Sequence, residues 1–193
     1  MLQKWKKREK IAVVVVFIII AMFGAYFIFH EVSFGVDTTL DGVQYRIGDP
    51  SYVERVTIKM TGIYKSYLFK DSTFYGSIEI SNKDITKDYT ASITFKGDYS
   101  YLTYFDYGKK SDKVSETGIV STPVTLGQIC YAKNFKQILF TIFDEYTDQK
   151  GTGWNSKSGM VIVAPATTRT EAVLAAEKLA NGSTILKKIK SWN

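Results

Sequence analysis

The uncharged run Ile11–Phe29, IAVVVVFIIIAMFGAYFIF, constrains this chain more than any other segment, because it follows KWKKREK directly and divides the sequence into unequal parts. As a helix it reaches about 28 Å, close to the hydrocarbon thickness of a bilayer, about 30 Å. It therefore reads as a transmembrane anchor, with the membrane as a partner through Ile11 to Phe29. Lys4, Lys6, Lys7, Arg8 and Lys10 precede the run, and no Lys or Arg follows it until Arg46. That asymmetry predicts a cytoplasmic N-terminus and a single-pass protein of the cell membrane whose C-terminal domain is extracytoplasmic. A cleavable signal peptide would carry a shorter apolar stretch and small residues spaced A-x-A before the cut. Ala25 has Phe23 two positions before it, so an uncleaved signal anchor is expected.

Subtracting the anchor changes the meaning of the charge. The net charge is +6, from 25 Lys and Arg against 19 Asp and Glu. Five of those bases and Glu9 precede the span, which leaves 20 bases and 18 acids, or +2, for Glu31–Asn193. Both signs are interspersed there, so no nucleic-acid partner is expected. The remaining length suits one domain with its own core. Cys130 is the sole cysteine, so stability cannot come from an internal disulfide. Within Gln128-Ile129-Cys130-Tyr131-Ala132 it reads as a small apolar residue on a short strand.

The expected organisation is a basic cytoplasmic flank over 1–10, an anchor over 11–29, a juxtamembrane linker over 30–50 and a β-rich domain over 51–193. The linker expectation rests on Gly35, Asp37, Asp41, Gly42, Gly48, Asp49 and Pro50, with Val43 to Ile47 as a possible edge strand. From Val53 the apolar period is two: Val56, Ile58 and Met60 share one face. The pattern returns at Phe74 to Ile80, Ala91 to Phe95, Tyr99 to Tyr107 and Ile138 to Phe143, with short turn clusters between. Such strands and tight connections predict an antiparallel meander. Met160 to Ala164 is apolar throughout. Thr168-Arg169-Thr170-Glu171 then forms a capping box for a helix whose stripe is Val173, Ala176 and Leu179 or Ala180, ending at Asn181-Gly182. Ser183 to Trp192 is expected to extend that stripe. The fold class is α+β, mainly β: an antiparallel β-meander sheet or partly closed barrel with one C-terminal helix, preceded by the transmembrane helix.

Chemistry is constrained mostly by what the domain lacks. The only histidine is His30, at the membrane end of the anchor. Ser-His-Asp and Cys-His catalysis need an imidazole base, and transition-metal sites usually take His or several Cys. No catalytic residue, metal or cofactor is expected. Thr125-Leu126-Gly127-Gln128-Ile129-Cys130 is similar to the TLxTC motif of sortases, but it has an extra residue, lacks the Thr before Cys, and has no histidine partner. Asp144, Glu145 and Asp148 cluster in a polar segment that reads as a hairpin turn, or less favourably as the carboxylates of an envelope hydrolase.

Binding has more to stand on. On Tyr99–Tyr107, Tyr99, Tyr101, Phe105 and Tyr107 share one face, and Leu102 and Tyr104 take the other; the first face is either sheet packing or an exposed aromatic surface. Gly151–Gly159 is a polar Gly/Ser-rich loop around Trp154, which is either a lid on the core or a ligand contact. From Trp154, the pattern W-N-S-x-S-G-M-V-I-V-A-P-A-T-T-R-x-E-A, together with the anchor, resembles uncharacterised single-pass exported proteins of Gram-positive bacteria. The resemblance implies a compartment and brings no activity with it. It selects Trp154, Asn155 and Arg169 as candidate binding residues, beside Tyr99 and Tyr101. The expected function is a non-enzymatic, membrane-tethered binding domain for a protein or cell-envelope partner. The alternative is a lipocalin-like carrier or inhibitor using a barrel interior.

Overall fold

The computed structural model describes residues 2–87, 89–96, 99–105, 123–131, 135–145 and 152–182. It opens with α1 (Leu2–Phe29), a helix of 28 residues. Among the described residues no helix is long and apolar enough to cross a membrane. In α1, however, the side chains described are those of residues 10–26, which stop short of Phe29.

Eight strands follow the meander expectation: β1 (Val32–Arg46), β2 (Asp49–Ser66), β3 (Ser72–Ile80), β4 (Thr90–Phe95), β5 (Tyr99–Phe105), β6 (Val124–Tyr131), β7 (Ile138–Ile142) and, after two short strands, β10 (Met160–Ala164). The short strands β8 (Asp144–Glu145) and β9 (Thr152–Gly153) pair only with each other. All main pairings are antiparallel, and the ring β1-β10-β7-β6-β5-β4-β3-β2 is a closed barrel. The sheet is thus closed rather than partly closed. The closing seam is the pairing of Val43–Arg46 with Met160–Val163, which removes the edges an open meander would expose.

The linker expectation is overturned over most of its length. Val32–Arg46 is a strand that pairs with β2 from Val32↔Ser66 to Arg46↔Asp49. Its inner face carries Val36, which is buried, and Leu40, which packs against the core. Gly42 is no turn residue here: a Cβ at that position would press on the Val163 carbonyl oxygen and the Ala164 side chain. Only Gly48, at a φ of 76°, serves as a turn glycine in this stretch, in the β1–β2 hairpin.

Two cores explain the sequence pattern. Inside the barrel, Ile58, Met60, Phe74, Ile78, Ile93, Leu102, Tyr104, Phe140 and Ile162 belong to one buried cluster that fills the space side chains alone can occupy in an eight-stranded barrel. Tyr104 is held in it by a 2.7 Å hydrogen bond from its hydroxyl to the Ile78 carbonyl, and burial pushes its phenol far above the ordinary value. Phe34, Tyr64, Phe95, Tyr131 and Phe135 meet at the end where β1 begins. Outside the barrel, α2 (Arg169–Gly182) lays Ala172, Val173, Ala176, Leu179 and Ala180 over Val43, Tyr45, Leu139, Val161, Val163 and Cys130. That second core is why β7 and β10 are buried on both faces, and why Met160–Ala164 is apolar throughout rather than alternating. Cys130 is buried in this outer core and forms no disulfide, as its flanks and its being the sole cysteine implied.

The capping box forms one residue longer than expected. The Thr168 hydroxyl accepts from the Glu171 backbone N–H at 3.2 Å. The Glu171 carboxylate reaches past Thr168 to the Thr167 N–H and hydroxyl, both at 2.8 Å, and these bonds hold its carboxyl below the usual range. Ser183 to Trp192, expected to extend the stripe, lies outside the described residues.

Candidate binding site at the barrel mouth

The end of the barrel farthest from α1 carries the most concentrated polar chemistry among the described residues. Alternation along β1 sends Val43 and Tyr45 outward beneath α2, so Gln44 points inward, and it is completely buried. Its Nε2 donates to the Tyr52 hydroxyl at 2.7 Å and to Glu54 Oε2 at 3.1 Å, while its Oε1 accepts from Asn82 Nδ2 at 3.1 Å. Asn82 Nδ2 also donates to Glu54 Oε2 at 2.8 Å. The Glu54 carboxylate is exposed, so this network runs from a buried amide to solvent. Asn82 Oδ1 is buried and accepts no hydrogen bond from any described residue. Lys83, next in sequence, brings its Nζ to 3.7 Å from Met160 Sδ on β10.

Arg46 extends the rim. Its guanidinium binds both oxygens of Asp144, at 2.9 and 3.4 Å, donates to the Ser158 carbonyl at 2.9 Å and lies 5.9 Å from the centre of the Tyr52 ring. Asp144 is therefore one half of an ion pair. The Glu145 side chain and Asp148 lie outside the described residues. Among the described residues no group of three His, Cys, Asp or Glu is placed to hold a metal ion.

Three of the sequence-selected residues gather beside this rim. The Trp154 indole N–H donates to the Met160 carbonyl at 3.1 Å, and its half-buried ring packs on the outer core. Asn155 is exposed and helps to shape the loop: its carbonyl accepts from Gly159 at 2.7 Å and its side chain from the Lys157 N–H at 2.8 Å. Arg169 lies with its guanidinium 5.3 Å from the centre of the Tyr45 ring, and its Nη2 donates to the Arg46 carbonyl at 3.5 Å. Arg169 Nε and the Tyr45 hydroxyl are both buried without a hydrogen-bond partner among the described residues. Burial raises the Tyr45 phenol strongly, and the nearby Arg169 charge opposes that shift.

The aromatic strand stands elsewhere. Tyr101 is 54 % exposed on the outer wall of β5, edge-on to Phe143 with ring centres 6.4 Å apart, whereas Leu102 and Tyr104 enter the barrel. The Tyr99 side chain and Tyr107 lie outside the described residues. Gln44, Tyr52, Glu54 and Asn82 were not selected from the sequence. A polar residue between Val43 and Tyr45 was the sole local signal, and nothing near it in sequence names its partners.

No protein family, curated protein or solved structure matches this chain.

Proposed function

We propose that this chain is a non-enzymatic, membrane-tethered binding domain, with α1 as a single-pass anchor, its N-terminus in the cytoplasm and the barrel outside it. The observation that supports binding is the mouth network. A fully buried amide, an exposed carboxylate and a buried carbonyl oxygen of Asn82 that has no partner among the described residues converge there. Buried polar atoms are nearly always paired, so a buried acceptor without a described partner beside a solvent-reaching carboxylate supports a ligand that donates hydrogen bonds there. A protein segment or a polar cell-envelope component fits that chemistry. The anchor reading draws on the apolar run Ile11–Phe29 and its basic flank, and the resemblance to single-pass exported proteins of Gram-positive bacteria accords with it.

The closed barrel is the observation that favours the carrier alternative. Against it, bulky side chains such as Phe74, Phe140 and Tyr104 occupy the interior, where a carried apolar ligand would sit.

A photo-crosslinking residue at position 52, in cells producing the full chain, tests the proposal. A discrete adduct is expected from position 52, absent from position 59 on the outer wall, and lost in Asn82→Ala. Adducts of equal yield from both positions would refute mouth recognition. Protease added outside the cell should remove a C-terminal tag and spare an N-terminal one; the reverse pattern refutes the topology.

A further inference from the structure

The β2–β3 loop leaves two large apolar side chains in solvent, with nothing among the described residues to cover them. Leu68 is 66 % exposed and Phe69 is 71 % exposed. Strand register determines where that loop stands. Val32, three residues after the end of α1, pairs with Ser66, the last residue of β2. Three residues of chain span at most about 11 Å, and neighbouring strands lie about 5 Å apart, so the loop is tied to the helix exit whatever direction α1 takes. Side chains reinforce the tie: Glu31 accepts from Lys65 Nζ at 3.0 Å and from the Tyr67 hydroxyl at 2.9 Å. Further exposed apolar groups surround the same end, Val32 and Phe34 on β1 and Ile63 on β2. The composition Lys65-Ser66-Tyr67-Leu68-Phe69-Lys70 has the aromatic and basic residues that settle at a membrane interface around an apolar tip.

We propose that the Leu68–Phe69 loop is a second membrane contact, inserting into the outer interface of the same bilayer that α1 enters, so that the barrel is held at two points with its polar mouth directed away from the lipid. This rests on the anchor reading above. The occupant is lipid rather than a second copy of the chain because the exposed tip is continuous with the helix exit, where a span places the bilayer surface. Pairing with Lys65 and Tyr67 also satisfies the Glu31 carboxylate, the acidic group two residues past the end of α1.

The test uses the full chain reconstituted into vesicles of phosphatidylethanolamine and phosphatidylglycerol. A fluorescent probe is attached at Lys70→Cys, with a probe at Ser156→Cys, near the opposite mouth, as reference; Cys130 is buried and does not compete for label. Flotation of the chain with vesicles after alkaline washing reads the anchor separately from the loop. The expected result is a floating chain whose position-70 probe is quenched by spin-labelled lipid and protected from aqueous iodide, with the opposite behaviour at position 156. Adding Leu68→Ser and Phe69→Ser, both at exposed positions, should abolish the lipid quenching while flotation persists. A floating chain whose position-70 probe is open to iodide overturns the loop contact and leaves the anchor standing. A probe shielded from both quenchers overturns it in favour of a protein cover. A chain that does not float overturns the anchor reading and the loop contact with it.

Discussion

At the scale of single residues, the mouth depends on Gln44 more than on any exposed member. Its side chain makes three hydrogen bonds at zero exposure. Gln44→Ala would leave Asn82 and Glu54 short of partners, and a buried polar group so stranded costs about 1–3 kcal/mol. Urea unfolding should show that loss as a lower midpoint at unchanged slope, and the position-52 adduct should vanish with it. A second residue-scale dependence is steric. A Cβ at Gly127 would overlap the Thr141 carbonyl oxygen of the neighbouring strand, so Gly127→Ala should destabilise by about 1–3 kcal/mol, read by the same unfolding curve. The glycine was visible in the sequence; the reason for it is a carbonyl contributed by β7, which no local pattern names.

Among elements, α2 was the most legible, since its cap, stripe and stop are written within one short segment. Thr168→Ala removes the cap hydroxyl and should cost about 1 kcal/mol, seen as a lower thermal midpoint. Glu171 adds a pH signature. Its carboxyl lies below its ordinary value of 4.5 because the Thr167 N–H and hydroxyl bind the charged form. A depressed acid stabilises the fold above its unfolded value and loses that contribution as pH falls through the folded one. The thermal midpoint of the native chain should therefore drop more steeply below about pH 4.5 than that of Glu171→Gln, whose amide caps without titrating. β1 was the least legible element. Its glycines and aspartates have the composition of a linker, yet pairing with β2 along its whole length makes it a strand. Its alternation was present at Phe34, Val36 and Leu40, but the turn-forming residues between them outweighed it locally.

Across the whole molecule, the outer core joins residues far apart in the chain: Val43 and Tyr45 from the first strand, Cys130 and Leu139 from the middle, and α2 from the end. Cys130 sits at that junction and is a reporter for it. A thiol reagent should leave the native barrel nearly unmodified and label Cys130 only as fast as α2 detaches or the barrel opens. Fast labelling in buffer, with circular dichroism unchanged, would mean that α2 leaves the sheet without global unfolding.

The anchor-like run, the period-two strands after Val53, the apolar run of Met160–Ala164 and the capped helix are all legible locally, since each is carried by neighbours within a few residues. That the meander closes, that 32–46 is part of the wall, and that Gln44, Tyr52, Glu54 and Asn82 form one network emerge only in the folded barrel. Closure depends on Val43 meeting Val163, and the network on Gln44 meeting Asn82. Periodicity tells which face of a strand a side chain takes and is silent on which distant strand will stand opposite, because that choice is made by packing the whole barrel at once.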